Sequence, residues 1–357
     1  MITSEFPPQP GGIGNHAYNL ALYLSKDSYE VEVIADRRSK EGVEEAKFDE
    51  ALPFNVSRVK RSSVNILTYF KRLVMSFKKL KDGDYAVATG KFSLWNVAFC
   101  SLFLNFKSIA IIHGTEVNFK SYFLKVFIDK SLLRFDNIVA VSHYTKSLVQ
   151  HLKREVIVIP NGININKWKD LNVSLKVKGA PVLTTVGRIS ERKGQMQVIA
   201  HLPQLIKQYP RLHYHCVGIA NEIDRCSKLA QELGVISHIT FHGSVTDQVV
   251  FSILDQTDIF IMLSKETISG DVEGFGIAIL EANLLGVSAI GSIGCGIEDA
   301  INHGSSGLLV NSDSSKEFIT AVNNILDSKE AYSASALSWV QQFNWSHIIQ
   351  SYISILK

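Results

Sequence analysis

Two glutamates eight residues apart, in Glu273-Gly-Phe-Gly-Ile-Ala-Ile-Leu-Glu281, carry the first chemical signal in this chain. Gly274 and Gly276 follow the first carboxylate, and an apolar run leads to the second. If a helix starts at Gly276, its free backbone N–H groups and positive dipole end make an anion site. Were the whole span helical, a rise of about 12 Å would bring both carboxylates to nearby faces. That suits a ligand with hydroxyls at both ends and a diphosphate in the middle, as in a nucleotide sugar. An ordinary solvated helix with a glycine-rich start has the same pattern, so the span needs partners.

Three other segments offer them. Arg188 and Lys193, in Val-Gly-Arg-Ile-Ser-Glu-Arg-Lys-Gly, place two cations in one loop after a predicted strand. Such a pair can neutralise a diphosphate, above all as it leaves. His113 ends the apolar strand Ile-Ala-Ile-Ile and could bond a sugar or act as a base; a structural histidine capping a strand fits equally well. Gly11, Gly12 and Gly14 would let backbone approach a phosphate where a helix opens at Asn15. With Ala17 and Asp36 they also spell a dinucleotide-binding fingerprint, which raises an NAD(P)-dependent oxidoreductase as a rival. Pro7, Pro8 and Pro10 separate those glycines from the strand, which weakens the rival. Asp82-Gly-Asp84 precedes a strand and reads as a turn rather than a metal site.

Strand-like and helix-like runs alternate throughout, the pattern of a parallel α/β protein. At 357 residues two domains are expected. The predicted strands are Ile2–Phe6, Val31–Ala35, Tyr85–Thr89, Ser108–His113, Asn137–Val141 and Val156–Ile159, then a second set from Pro181 onward. The connector is Asn161–Gly179. Ligands of such sheets bind beyond the carboxyl ends of the strands, where these segments lie.

The apolar fraction of 46% and charged fraction of 20% are those of a globular protein. Four scattered cysteines suggest reduced thiols, and no secretion signal opens the chain, so a cytoplasmic protein is expected. Residues 1–160 hold 22 basic against 16 acidic residues, and much of the excess lies in Arg58–Lys81. Interleaved with apolar residues, that stretch reads as a basic amphipathic helix suited to an anionic membrane surface or acceptor, or as a solvated face. No nucleic-acid module accompanies the charge. The apolar stretch Phe92–Phe106 is too short to span a bilayer and reads as a buried helix.

Taken together, Pro-Gly-Gly-Ile-Gly (10–14), His-Gly-Thr-Glu (113–116), Val-Ile-Pro-Asn-Gly-Ile (158–163), Val-Gly-Arg with Lys-Gly (186–194), Phe-His-Gly-Ser-Val (241–245) and the Glu273/Glu281 span resemble the retaining GT-B glycosyltransferases of family four. The resemblance implies two Rossmann-like domains facing a cleft: residues 1–165, with 340–357 crossing back, and a donor-binding domain, 175–339. It implies a hexose moved from a UDP- or GDP-linked donor to a glycan or lipid-linked acceptor in surface polysaccharide synthesis, including lipopolysaccharide, with no cofactor or metal. Glu281 would hold the ribose and Glu273 the transferred sugar. Backbone N–H groups of Gly274, Phe275 and Gly276 would bind sugar and phosphates, and Arg188 and Lys193 the diphosphate. Gly11 and Gly12 would approach from the first domain, His113 would lie beside the reacting sugar, and backbone including Gly243 and Val245 would hold the base. A sugar-nucleotide epimerase of the same fold is a further rival. The expected location is the cytoplasm, at the inner face of the membrane.

Overall fold

The computed structural model describes residues 1–62, 64–173 and 175–357. Ser63, within the basic stretch, and Ser174, within the connector, lie outside the described residues. The chain forms two compact units, Met1–Gly162 with Trp345–Lys357, and Ile163–Asn344.

The first unit is built on seven strands, β1 (Ile2–Thr3), β2 (Glu32–Arg37), β3 (Asn55–Lys60), β4 (Tyr85–Thr89), β5 (Lys107–Ile112), β6 (Asn137–Ala140) and β7 (Ile157–Val158), in the order β3-β2-β1-β4-β5-β6-β7. Every pairing is parallel. The central strands read as continuous apolar runs because helices cover both faces; Ile109–Ile112 are fully buried. The second unit holds β8 (Val182–Val186), β9 (His213–Val217), β10 (Ile239–Gly243), β11 (Ile259–Met262), β12 (Ala289–Ser292) and β13 (Gly307–Val310), all parallel, in the order β10-β9-β8-β11-β12-β13. Strand order reverses between β1 and β4 and between β8 and β11. The crevices beyond those carboxyl ends are the binding positions of open α/β sheets.

Several expectations need correction. The first strand stops at Thr3, not Phe6, because the Thr3 hydroxyl donates to Glu5 O (2.8 Å) and accepts Glu5 N–H (3.2 Å), turning the chain out of the sheet. The first helix spans Gly12–Lys26, so Gly12 and Gly14 lie in its first turn rather than in a loop before Asn15. Gly14 is needed there, since a Cβ would lie 3.1 Å from the Glu5 and Phe6 backbone. The stretch 58–81 is not one helix. Arg58 and Lys60 belong to edge strand β3, and the helix runs Asn65–Leu80. The buried Phe92–Phe106 helix is only Lys91–Cys100, with Phe99, Leu102 and Phe103 exposed.

The carboxyl-terminal helix Trp345–Leu356 packs on the first unit. Trp345 stacks on Tyr23 with ring centroids 6.0 Å apart, and Gly162 leaves room for its indole, which a Cβ would approach to 2.6 Å. The helix is separated by a break at Asn344 from Lys329–Val340, so the tail from Trp339 is not one helix. No helix among the described residues is long and apolar enough to cross a membrane.

Candidate functional site

In the second unit, β8 ends on Val186 and the chain turns through Gly187 (φ +146°) into a short helical turn at Glu191–Lys193. Gly194 then caps the helix Gln195–Gln208 at φ +78°, where a side chain would run into the Leu263 backbone. This close approach sets Lys193 against the loop after β11. Its Nζ lies 2.9 Å from Glu273 Oε2, and Arg192 pairs with the same oxygen. Burial pushes the Glu273 carboxyl up, but the two adjacent cations more than offset it, so the net shift is downward and the group is anionic. Burial pushes Lys193 down, opposed by Glu273 and also by Glu281, so Lys193 feels both carboxylates.

Glu273–Phe275 is loop, not helix. The helix runs Ile277–Asn283 behind Gly276, which caps it at φ +88°. The fully helical span considered above is therefore wrong: glycines at 274 and 276 favour loop geometry that a helix interior penalises. Gly296 N–H donates to Glu273 O (2.9 Å), and a Cβ at 296 would collide with the Gly274 carbonyl. Phe275 is buried and meets Phe343 edge-on at 5.6 Å, so only its backbone is available to a ligand. Glu281, on the helix, pairs through Oε1 with Lys167. Arg188 is exposed and pairs with none of the described acidic side chains. Gly243 ends β10 at φ +67° and its carbonyl accepts Gly218 N–H (2.9 Å); Val245 is half-buried in the following loop. Lys193, Glu273, Gly274, Gly276 and Glu281 thus share one neighbourhood, which Arg192 and Lys167 join.

In the first unit, His113 follows β5 and is buried. Its Nε2 hydrogen-bonds Thr89 Oγ1 at 2.8 Å, and its backbone N–H donates to Glu116 Oε1 at 2.5 Å. Burial pushes the imidazole down to about 3, so it is neutral at physiological pH. Burial drives the Glu116 carboxyl up to about 7, against hydrogen bonds from backbone N–H groups, and its Oε2 is buried without a partner. The His16 ring meets His113 edge-on at 5.1 Å and bonds Tyr352 OH at 3.0 Å, which ties the carboxyl-terminal helix to this cluster. A Cβ at Gly11 would strike the Glu5 carboxylate, whereas Gly12 faces open space. Asp36, the acid of the dinucleotide fingerprint, is buried against Arg72 and Arg61, with Arg72 Nε 2.6 Å from Oδ1 and Arg61 Nε 2.9 Å from Oδ2. Both oxygens are occupied, which removes the ribose acceptor that an oxidoreductase needs. Asp82–Asp84 lies in the turn before β4, Gly83 N–H donating to Leu80 O at 3.3 Å.

Arg192, Lys167 and Glu116 carry site geometry that the sequence reasoning did not assign. The signals were present: Arg192 adjoins Lys193, Lys167 follows the Asn161-Gly-Ile segment, and Glu116 ends the His113 motif.

Comparison with known proteins bears on what this geometry serves. Residues 166–336 match the family described as Glycosyl transferases group 1, and residues 10–167 match Glycosyltransferase Family 4. The chain is 25% identical over 358 residues to a GDP-mannose-dependent alpha-(1-6)-phosphatidylinositol monomannoside mannosyltransferase of Mycolicibacterium smegmatis, covering 91% of this chain and 88% of that protein. It is 25% identical over 192 residues to the putative colanic acid biosynthesis glycosyltransferase WcaL of Salmonella typhimurium, covering 48% and 47% respectively. In fold it resembles Anabaena HepE, solved in complex with UDP and glucose, with a TM-score of 0.79 at 18% identity over 99% of this chain and 98% of that one.

Proposed function

Because the chain belongs to glycosyltransferase family four and has the GT-B fold, we propose that this glycosyltransferase moves a hexosyl group from a nucleoside diphosphate sugar to a glycan or lipid-linked acceptor, with retention of anomeric configuration. The observation that carries the reading is the buried Glu273 carboxylate held between Arg192 and Lys193 beyond the switch point of the second sheet. Bond cleavage at the anomeric carbon leaves negative charge on the departing diphosphate. Cations fixed in a water-poor site stabilise that charge more in the transition state than in the ground state. Lys193 and Arg192 are placed for this, and the unpaired Arg188 extends the cationic loop outward. Glu273 would accept hydroxyls of the transferred sugar. The leaving phosphate would take the acceptor proton.

The similarity to a phosphatidylinositol monomannoside mannosyltransferase and to the WcaL colanic acid biosynthesis glycosyltransferase supports an acceptor in surface glycan or glycolipid assembly. The first unit supports delivery at an anionic membrane surface. Its helix Asn65–Leu80 presents Ile66 (71% exposed) and Phe70 (64%), and the helix Tyr122–Leu132, on the far side of Lys91–Cys100, presents Phe123 (83%). Lys71 and Lys78 border the first of these, whereas Arg72 is spent on Asp36.

The test is thermal unfolding with UDP, GDP, ADP and NAD(P)H. A nucleoside diphosphate at about one hundred times its Kd should add about 2.7 kcal/mol of stability. Stabilisation by the nicotinamide nucleotide alone would contradict the reading.

A further inference from the structure

Glu281 has an unassigned partner. The Lys167 ammonium holds its Oε1, while Oε2 makes no hydrogen bond with the described residues and is not among the buried atoms. The same lysine sits 4.4 Å over the ring of Trp168, whose indole N–H donates to the Glu281 backbone carbonyl at 3.0 Å. Trp168 is itself buried against Phe251, with ring centroids 6.1 Å apart. Lys167 N–H donates to Asn164 O at 3.0 Å, and Asn164 Oδ1 accepts Asn166 N–H at 3.0 Å, so the backbone carrying the lysine is fixed as well. A lysine ordinarily loses side-chain freedom to form one ion pair of small net value. Here the ring fixes the ammonium, the tryptophan fixes the helix carbonyl, and both act on one residue.

We propose that Lys167 is a positioning residue for the donor ribose. It fixes one oxygen of Glu281 and turns the other toward the 2′ and 3′ hydroxyls. This rests on the reading of Glu281 as the ribose carboxylate. Without the ammonium the carboxylate can rotate, because it loses the ion pair that fixes Oε1. The recognition lost is specific to the sugar hydroxyls, because base and diphosphate contacts do not pass through Lys167.

The experiment is calorimetric titration of UDP and GDP, and of their 2′-deoxy and 3′-deoxy forms, into wild type, Glu281→Gln, Lys167→Met and Lys167→Arg. Methionine keeps the apolar stem over Trp168 and removes the charge. For whichever ribonucleotide binds more tightly, wild type should prefer it over the deoxy forms by roughly tenfold to a hundredfold, the value of a hydrogen bond to a charged group. Lys167→Met and Glu281→Gln should each compress that preference to about threefold or less, and Lys167→Arg should restore part of it. Should Lys167→Met fold poorly, Lys167→Gln gives the same comparison. Full discrimination in a folded Lys167→Met protein, alongside its loss in Glu281→Gln, would overturn the role of Lys167 and leave that of Glu281 standing. Equal binding of ribose and deoxyribose forms by wild type, or full discrimination in Glu281→Gln, would overturn both.

Discussion

Among the described residues, His113 and Glu116 in the first unit are buried without an ion pair, whereas Glu273 and Lys193 in the second are buried against each other. In the first unit burial dominates, and it moves an imidazole down to about 3 and a carboxyl up to about 7, each toward its neutral form. In the second, Arg192 and Lys193 reverse the burial effect on Glu273 and keep it charged. The same desolvation therefore gives a neutral hydrogen-bonding cluster in one unit and a charged cluster in the other. Counter-ions decide which. Stabilising a departing anion needs the charged kind.

The largest expected effect comes from breaking the charged side. Lys193→Ala should lower kcat by about a hundredfold or more, the scale of losing one preorganised stabilising group. Arg192→Gln, which leaves Lys193 on Glu273, should cost about tenfold. Equal losses in the two folded variants would mean that the pair acts as one unit and would sharpen the comparison; wild-type turnover in Lys193→Ala would break it.

The neutral side is read by pH. Glu116 holds a proton in the folded state between its ordinary 4.5 and about 7, so its contribution to stability falls as pH rises through that window and is lost above it. His113 runs the other way: its contribution is present above 6.5 and is lost as pH falls toward about 3. The two slopes oppose one another where the windows overlap. Glu116→Gln removes only the first, so its melting temperature relative to wild type should rise from about pH 5 to about pH 8, by the equivalent of at most about 3 kcal/mol. A difference that stays flat with pH would show that Glu116 is not held protonated.

The smallest expected effect concerns the outer face of the first unit. Changing Ile66, Phe70 and Phe123 together to Ser should weaken binding to anionic vesicles about tenfold, each exposed side chain inserting only part of its surface. Arg72→Gln should instead destabilise the first unit, because it leaves buried Asp36 with the exposed Arg61 alone. Unchanged vesicle partition of the triple variant would leave the face as a solvated surface.

The two parallel sheets were legible because strands covered on both faces read as unbroken apolar runs, as in Ile109–Ile112 and Ile259–Met262. Edge strand β3 was not, because only one of its residues, Val59, is fully buried and its polar alternation resembled a basic helix. At the site, glycine and charge spacing pointed to Glu273, Lys193 and Glu281. Arg192 and Lys167 escaped because a cation's partner depends on how loops distant in sequence meet. Lys167 and Glu281 are 114 positions apart. Glu116 was visible as a letter in a motif, but its burial, and so its protonation, belongs to the fold.

The most direct measurement is release of nucleoside diphosphate from UDP- and GDP-hexoses, with membrane lipid extract as acceptor, by wild type and Glu273→Gln of matched melting temperature. Wild type should turn over one donor class, with an α-linked product from an α-linked donor, and Glu273→Gln should be slower by about a hundredfold or more. Equal rates in the two proteins would contradict the placement of the transferred sugar on Glu273 between its two cations.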